Sequence, residues 1–173
     1  MNIDKKQRKA VFIKPLNTLR AKVGYGGLND NILDKAQTVL ENNSVDFLPM
    51  AEMYLSGIMR GIERAGNPSP GDEDETLIAG MIYPAIQLKA NGGMFRYSLV
   101  SRIGDMLIQF LEVIAAPDKD AIEIVLAFHT TMRTILKSRI SGLGGKHGDE
   151  LKQALESACR RYFERDADKR CGV

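Results

Sequence analysis

From residue 29 onward apolar side chains recur every three or four positions, and no alternating polar and apolar run is long enough for a strand. The pattern predicts six helices. The first is short, capped by Asn29 or Asp30, carries Ile32, Leu33, Ala36, Val39 and Leu40, and ends at Asn42-Asn43. A longer one follows Ser44 as cap and uses Phe47, Leu48, Ala51, Tyr54, Leu55, Ile58 and Ile62, with Pro49 tolerated close to its start. Gly66, Pro68, Pro70 and Gly71 break the pattern, and the acids after them supply negative charge to the next helix start. The third helix is expected over 72–90, bent at Pro84 and stopped by Asn91-Gly92-Gly93. The fourth, 94–114, carries Leu99, Val100, Ile103, Met106, Leu107, Phe110 and Leu111 and closes before Pro117. The fifth, 118–140, carries Ile122, Val125, Leu126, Met132, Leu136 and Ile140. After glycines 142, 144, 145 and 148, Asp149 is expected to cap the last, with Leu151, Leu155, Ala158 and Tyr162 on its buried face.

Short connections favour antiparallel neighbours, so the fold class is all-α: an up-and-down bundle of about four long helices with short accessory helices. The length, 173 residues of which 44% are hydrophobic, suits one core. With no Trp and eight Met, that core falls to aliphatic side chains and methionines.

Charge changes the picture at the N-terminus. Of 24 basic and 22 acidic residues, seven bases (Lys5, Lys6, Arg8, Lys9, Lys14, Arg20, Lys22) and one acid (Asp4) fall in residues 1–27, an arm of +6 before a body of −4. Val11, Phe12, Ile13, Leu16, Leu19 and Val23 are too many apolar residues for a solvated tail, so 1–27 reads as a docking or dimerisation arm and 28–173 as the bundle domain. Cys159 and Cys171 form neither a metal spacing nor a disulfide framework, no apolar run is long enough for a membrane span, and the N-terminus lacks a signal peptide's apolar core. A cytoplasmic protein without cofactor or metal is expected.

Three constellations invite chemistry. Gly142-Leu143-Gly144-Gly145-Lys146-His147-Gly148 looks like a phosphate loop, but Ile140 and His147 stand where a glycine and a Ser or Thr are required, and a helix precedes it in place of a strand. His129 suggests a phosphotransfer bundle, yet its helical position lies on the apolar side, so a structural histidine is expected. Asp105 and Gln109 lie one turn apart on a polar stripe with Ser98, Arg102 and Glu112. An acid followed four residues later by glutamine resembles the pair with which helical chemotaxis phosphatases act on response regulators. There the amide orients water toward an aspartyl phosphate and the acid engages the regulator's lysine. Asp149 and Gln153 repeat the spacing, as solvated helix faces readily do.

Gln87 to Tyr97 joins a glycine turn to Lys89, Phe95, Arg96 and Tyr97, residue types enriched at binding surfaces, although core packing explains the aromatics equally well. Together with Lys14-Pro15, Asn17-Thr18-Leu19, Lys22-Val23-Gly24 and Gly26-Gly27, the stretch 87–95 resembles a family of small all-helical proteins of alphaproteobacteria associated with chemotaxis signalling. The resemblance implies a cytoplasmic signalling setting and action through contact with other proteins. The expected function is therefore a non-catalytic interaction module in bacterial signal transduction, with Lys14, Arg20, Lys22, Lys89, Phe95, Arg96 and Tyr97 as binding residues. Its expected partner is another signalling protein, a response regulator among the candidates, or a second copy of the chain. The alternatives are a response-regulator phosphatase using Asp105 and Gln109, and, last, a nucleic-acid binder using the arm, which the acidic body and the missing recognition motif disfavour.

Overall fold

The structure is a computed structural model and describes residue 22, residues 29–41 and residues 45–171. Lys14, Arg20 and nearly all of the arm lie outside the described residues, as does Ser44. Among the described residues six helices have defined bounds: α1 (Asp30–Glu41), α2 (Leu48–Gly66), α3 (Asp74–Met94), α4 (Ser98–Val113), α5 (Lys119–Lys137) and α6 (Gly145–Cys171). The described residues contain no strand. The chain divides into two compact units, Met1–Val45 and Asp46–Val173, with α1 in the first and α2–α6 in the second.

Local chemistry sets the helix starts. The Asn31 amide donates to Asn29 Oδ1 ahead of α1 (2.9 Å), the Leu48 amide to Asp46 Oδ1 ahead of α2 (3.0 Å), and the Ala121 amide to Asp118 Oδ1 at the start of α5 (2.7 Å). Pro49 occupies the first turn of α2, where its missing N–H costs nothing. In the loop before α3, Asp72 accepts from the Arg64 guanidinium and from the Ser69 amide, and both bonds hold its carboxyl below the ordinary carboxylate range.

Helices α2 to α5 form a closed antiparallel ring, since α2 packs on α3, α3 on α4, α4 on α5 and α5 back on α2. Their direction follows from which residues meet. Gly57 and Gly61 of α2 lie over Pro84 and Met81 of α3, Gly92 and Gly104 join α3 to α4 beside Ser101 and Lys89, and Arg133 of α5 pairs with Glu52 of α2. The core runs along the axis through Leu55, Ile58, Met81, Leu88, Ile103, Leu107, Phe128 and Met132, all fully buried. Helix α6 packs on α4 and α5 through Leu155 and Tyr162, and Tyr162 meets Phe110 edge-on at 5.3 Å. It is the longest of the described helices, a fifth long element packed on the four-helix ring.

Three expectations need correction. Asn91-Gly92-Gly93 does not stop α3, which runs on to Met94. A Cβ on Gly92 would sit 3.2 Å from the Ser101 nitrogen, so this glycine lets α3 and α4 touch backbone to backbone. Asp149 is not the cap of the last helix, which begins at Gly145. The buried face of α5 is centred on Val125, Phe128, Met132 and Leu136, leaving Leu126 40% exposed, because the ring covers that side of the helix from both neighbours.

Candidate functional site

The polar row. Gly104 has no side chain to hold α4 away from α3, and its position over the Lys89 backbone brings Lys89 beside Asp105. Lys89 Nζ donates to Asp105 Oδ1 at 2.5 Å, and Gln109 Nε2 donates to Asp105 Oδ2 at 3.1 Å. Three residues singled out in the sequence therefore form one contiguous, partly exposed cluster, in which both carboxylate oxygens already have a partner. Gln109 also borders a shallow groove between α4 and α6, about 320 Å³, lined by Met106, Phe110, Val113 and Phe163. The second acid and glutamine pair, Asp149 and Gln153, is exposed on α6.

The aromatic turn. Phe95 and Tyr97 are half-buried against Phe47. The Phe47 and Phe95 rings stack with centroids 4.9 Å apart and planes 6° from parallel, and Tyr97 lies at 5.8 Å. Phe47 itself is 2% exposed, so these aromatics seal the end of the core where α2 begins and α3 ends. Arg96 is exposed and takes a left-handed backbone (φ 64°) to turn the chain. Lys22 is exposed.

The glycine loop. Gly142 N–H donates to the Arg96 carbonyl (2.6 Å) and Leu99 N–H donates to the Gly142 carbonyl (2.8 Å). A Cβ on Gly144 would meet Leu99 Cδ2 at 2.8 Å, and one on Gly148 would meet the Leu143 carbonyl oxygen at 2.1 Å. These glycines let the α5–α6 connection press on the start of α4. Lys146 and His147 point outward, each within 4 Å of Glu150.

The interior. His129 is buried at 5% exposure, as the helical spacing predicts, and its Nδ1 has no partner among the described residues. Burial lowers its pKa first of all and Arg133 lowers it further, against opposing effects from Glu52 and from a hydrogen bond with the Leu55 backbone. Half-buried Cys159 has its thiol pushed up to about 11, chiefly by burial, so it is a poor nucleophile near neutral pH. The described residues contain no cluster of potential metal ligands, and none of their helices is long and apolar enough to cross a membrane.

A largely apolar groove of about 490 Å³ between α2 and α3 has no counterpart among the sequence motifs. Gly57 and Gly61 draw the two helices together, while Gly80, with nothing within 4 Å of its missing Cβ, leaves the surface hollow. Met53 and Tyr83, 57% and 69% exposed, rise beside it, and among the described residues its only charged lining residues are Arg60 and Arg64. The spacing of Gly57 and Gly61 on one helix face was a usable signal for close packing. That it sits opposite Gly80 and Pro84 was not.

No protein-family model, curated protein or solved structure matches this chain.

Proposed function

We propose that this chain is a protein-interaction module whose docking surface is the α2/α3 groove. The carrying observation is the groove itself: an open hollow of about 490 Å³, floored by glycine and proline, flanked by exposed Met53 and Tyr83, with arginines and no carboxylate among the described residues that line it. Such a surface suits the apolar face of an amphipathic helix bearing acids at its margin. Bacterial signal transduction, with chemotaxis as the specific setting, is the context we propose for it, on the resemblance of the arm and of residues 87–95. The test is affinity capture from the native cell by the wild type, Gly80→Gln and Gln109→Ala in parallel. A partner lost only with Gly80→Gln, a substitution into open space on a helix, supports the reading; a partner retained by all three removes it.

A second reading is favoured by the contiguity of Asp105 and Gln109 beside the α4/α6 groove: acceleration of aspartyl-phosphate loss from a response regulator. Asp105 is held by Lys89, which a regulator's lysine would have to displace. Gln109→Ala should then abolish the acceleration, Gln153→Ala should spare it, and Lys89→Ala should raise it. No acceleration by the wild type ends this reading.

A further inference from the structure

Helix α1 presents the complementary surface. Ile32, Leu33 and Val39 share one helical stripe and are 53%, 49% and 72% exposed. A helix of 12 residues is marginal in water by itself, so a surface that takes the stripe would stabilise it. At a rise of about 1.5 Å per residue α1 is roughly 18 Å long, and the α2 edge of the groove from Met53 to Arg64 is roughly 16 Å. Its charge also fits, since Asp30 and Asp34 outnumber Lys35 whereas arginines alone are charged among the described residues that line the groove.

We infer that α1 of a second copy occupies the α2/α3 groove, and that the exchange is reciprocal. Each copy carries one helix and one groove, so two copies satisfy both and close a two-fold dimer without leaving a free end. Arg60 makes no ion pair among the described residues and is the groove cation available to an incoming carboxylate, while Arg64 is held by Asp72. The inference rests on the groove being a helix-docking site and adds to it that the chain occludes that site itself, so a partner's helix would compete with dimerisation.

The experiment is sedimentation of the full chain with three variants. Ile32→Asp places a charge in the α1 stripe, Gly80→Gln fills the groove, and Gly80→Ala is the conservative control. Expected are a wild-type mass of twice 19.2 kDa, a fall to 19.2 kDa for Ile32→Asp and for Gly80→Gln, and a dimer for Gly80→Ala. Mixing the two monomeric variants should restore part of the dimer, because Gly80→Gln supplies an intact α1 and Ile32→Asp an intact groove. Thermal melts establish that each variant is folded. A monomeric wild type, or a dimer indifferent to both substitutions, overturns the inference. So does hydrogen exchange that protects α1 in a monomer, which would mean docking within one chain. A monomeric wild type that still loses its cellular partner through Gly80→Gln would remove self-occlusion and leave the docking site in place.

Discussion

Gly142 and Arg96 are joined backbone to backbone: the glycine N–H donates to the arginine carbonyl across 2.6 Å, and the Gly142 carbonyl in turn accepts from Leu99. The bond ties the α5–α6 connection to the α3–α4 turn, two loops far apart in sequence. Both residues adopt left-handed backbone, φ 67° for Gly142 and 64° for Arg96, and only glycine does so at no steric cost. A glycine cluster that suggests a phosphate cradle thus spends an amide on closing the fold.

Gly148 is the sharpest test of that closure. Its Cβ would fall 2.1 Å from the Leu143 carbonyl oxygen, so Gly148→Ala should destabilise by about 1 to 3 kcal/mol through forced displacement. Gly80→Ala, a helical site facing open space, should instead stabilise by about 0.5 to 1 kcal/mol. Urea titrations of both variants check the opposite signs.

The aromatic seal makes a second prediction. Phe47→Ala should cost about 3 to 5 kcal/mol, because a fully buried ring is removed from beneath Phe95 and Tyr97. A double-mutant cycle with Phe95→Ala should give a coupling of about 0.5 to 1.5 kcal/mol, whereas additive losses would mean that the stacked geometry contributes nothing of its own.

His129 makes stability depend on pH. Its folded-state pKa lies below the ordinary 6.5, so between the two values the unfolded chain binds more protons than the folded one. The contribution of neutral His129 is therefore complete above pH 6.5 and is lost as pH falls below it toward the folded-state value. Melting temperature should drop over that range in the wild type and drop less in His129→Met, once the common effect of the carboxylates is subtracted.

Cys159, with its thiol at about 11, should react with iodoacetamide at pH 8 far more slowly than a free cysteine, and the rate should rise when the fold is loosened by urea. Rapid labelling of Cys159 in the native protein, located by peptide mass, would contradict its burial.

Replacing Asp118 by Ala should cost about 1 kcal/mol, since its carboxylate accepts the Ala121 amide at 2.7 Å at the N-cap of α5. Thermal unfolding of Asp118→Ala beside Asp118→Asn, which keeps an acceptor, separates the cap from the charge.

The sequence by itself determined what depends on neighbours along the chain. The cap at Asn29, breakers between residues 66 and 71, and apolar spacing marked the helices of the described residues, and the same spacing put His129 inside. Tertiary structure decided whatever depends on how closely two helices approach. Gly92 reads as a stop in one dimension and is a contact in three, because the Ser101 backbone occupies the place of its side chain. Asp105 and Gln109 are neighbours by periodicity, but Lys89, from another helix, takes one carboxylate oxygen only because Gly104 lets α3 and α4 close. The α2/α3 groove exists for the same reason: Gly57 and Gly61 share a helix face along the chain, but with Gly80 they make a surface only when two antiparallel helices bring all three to one place.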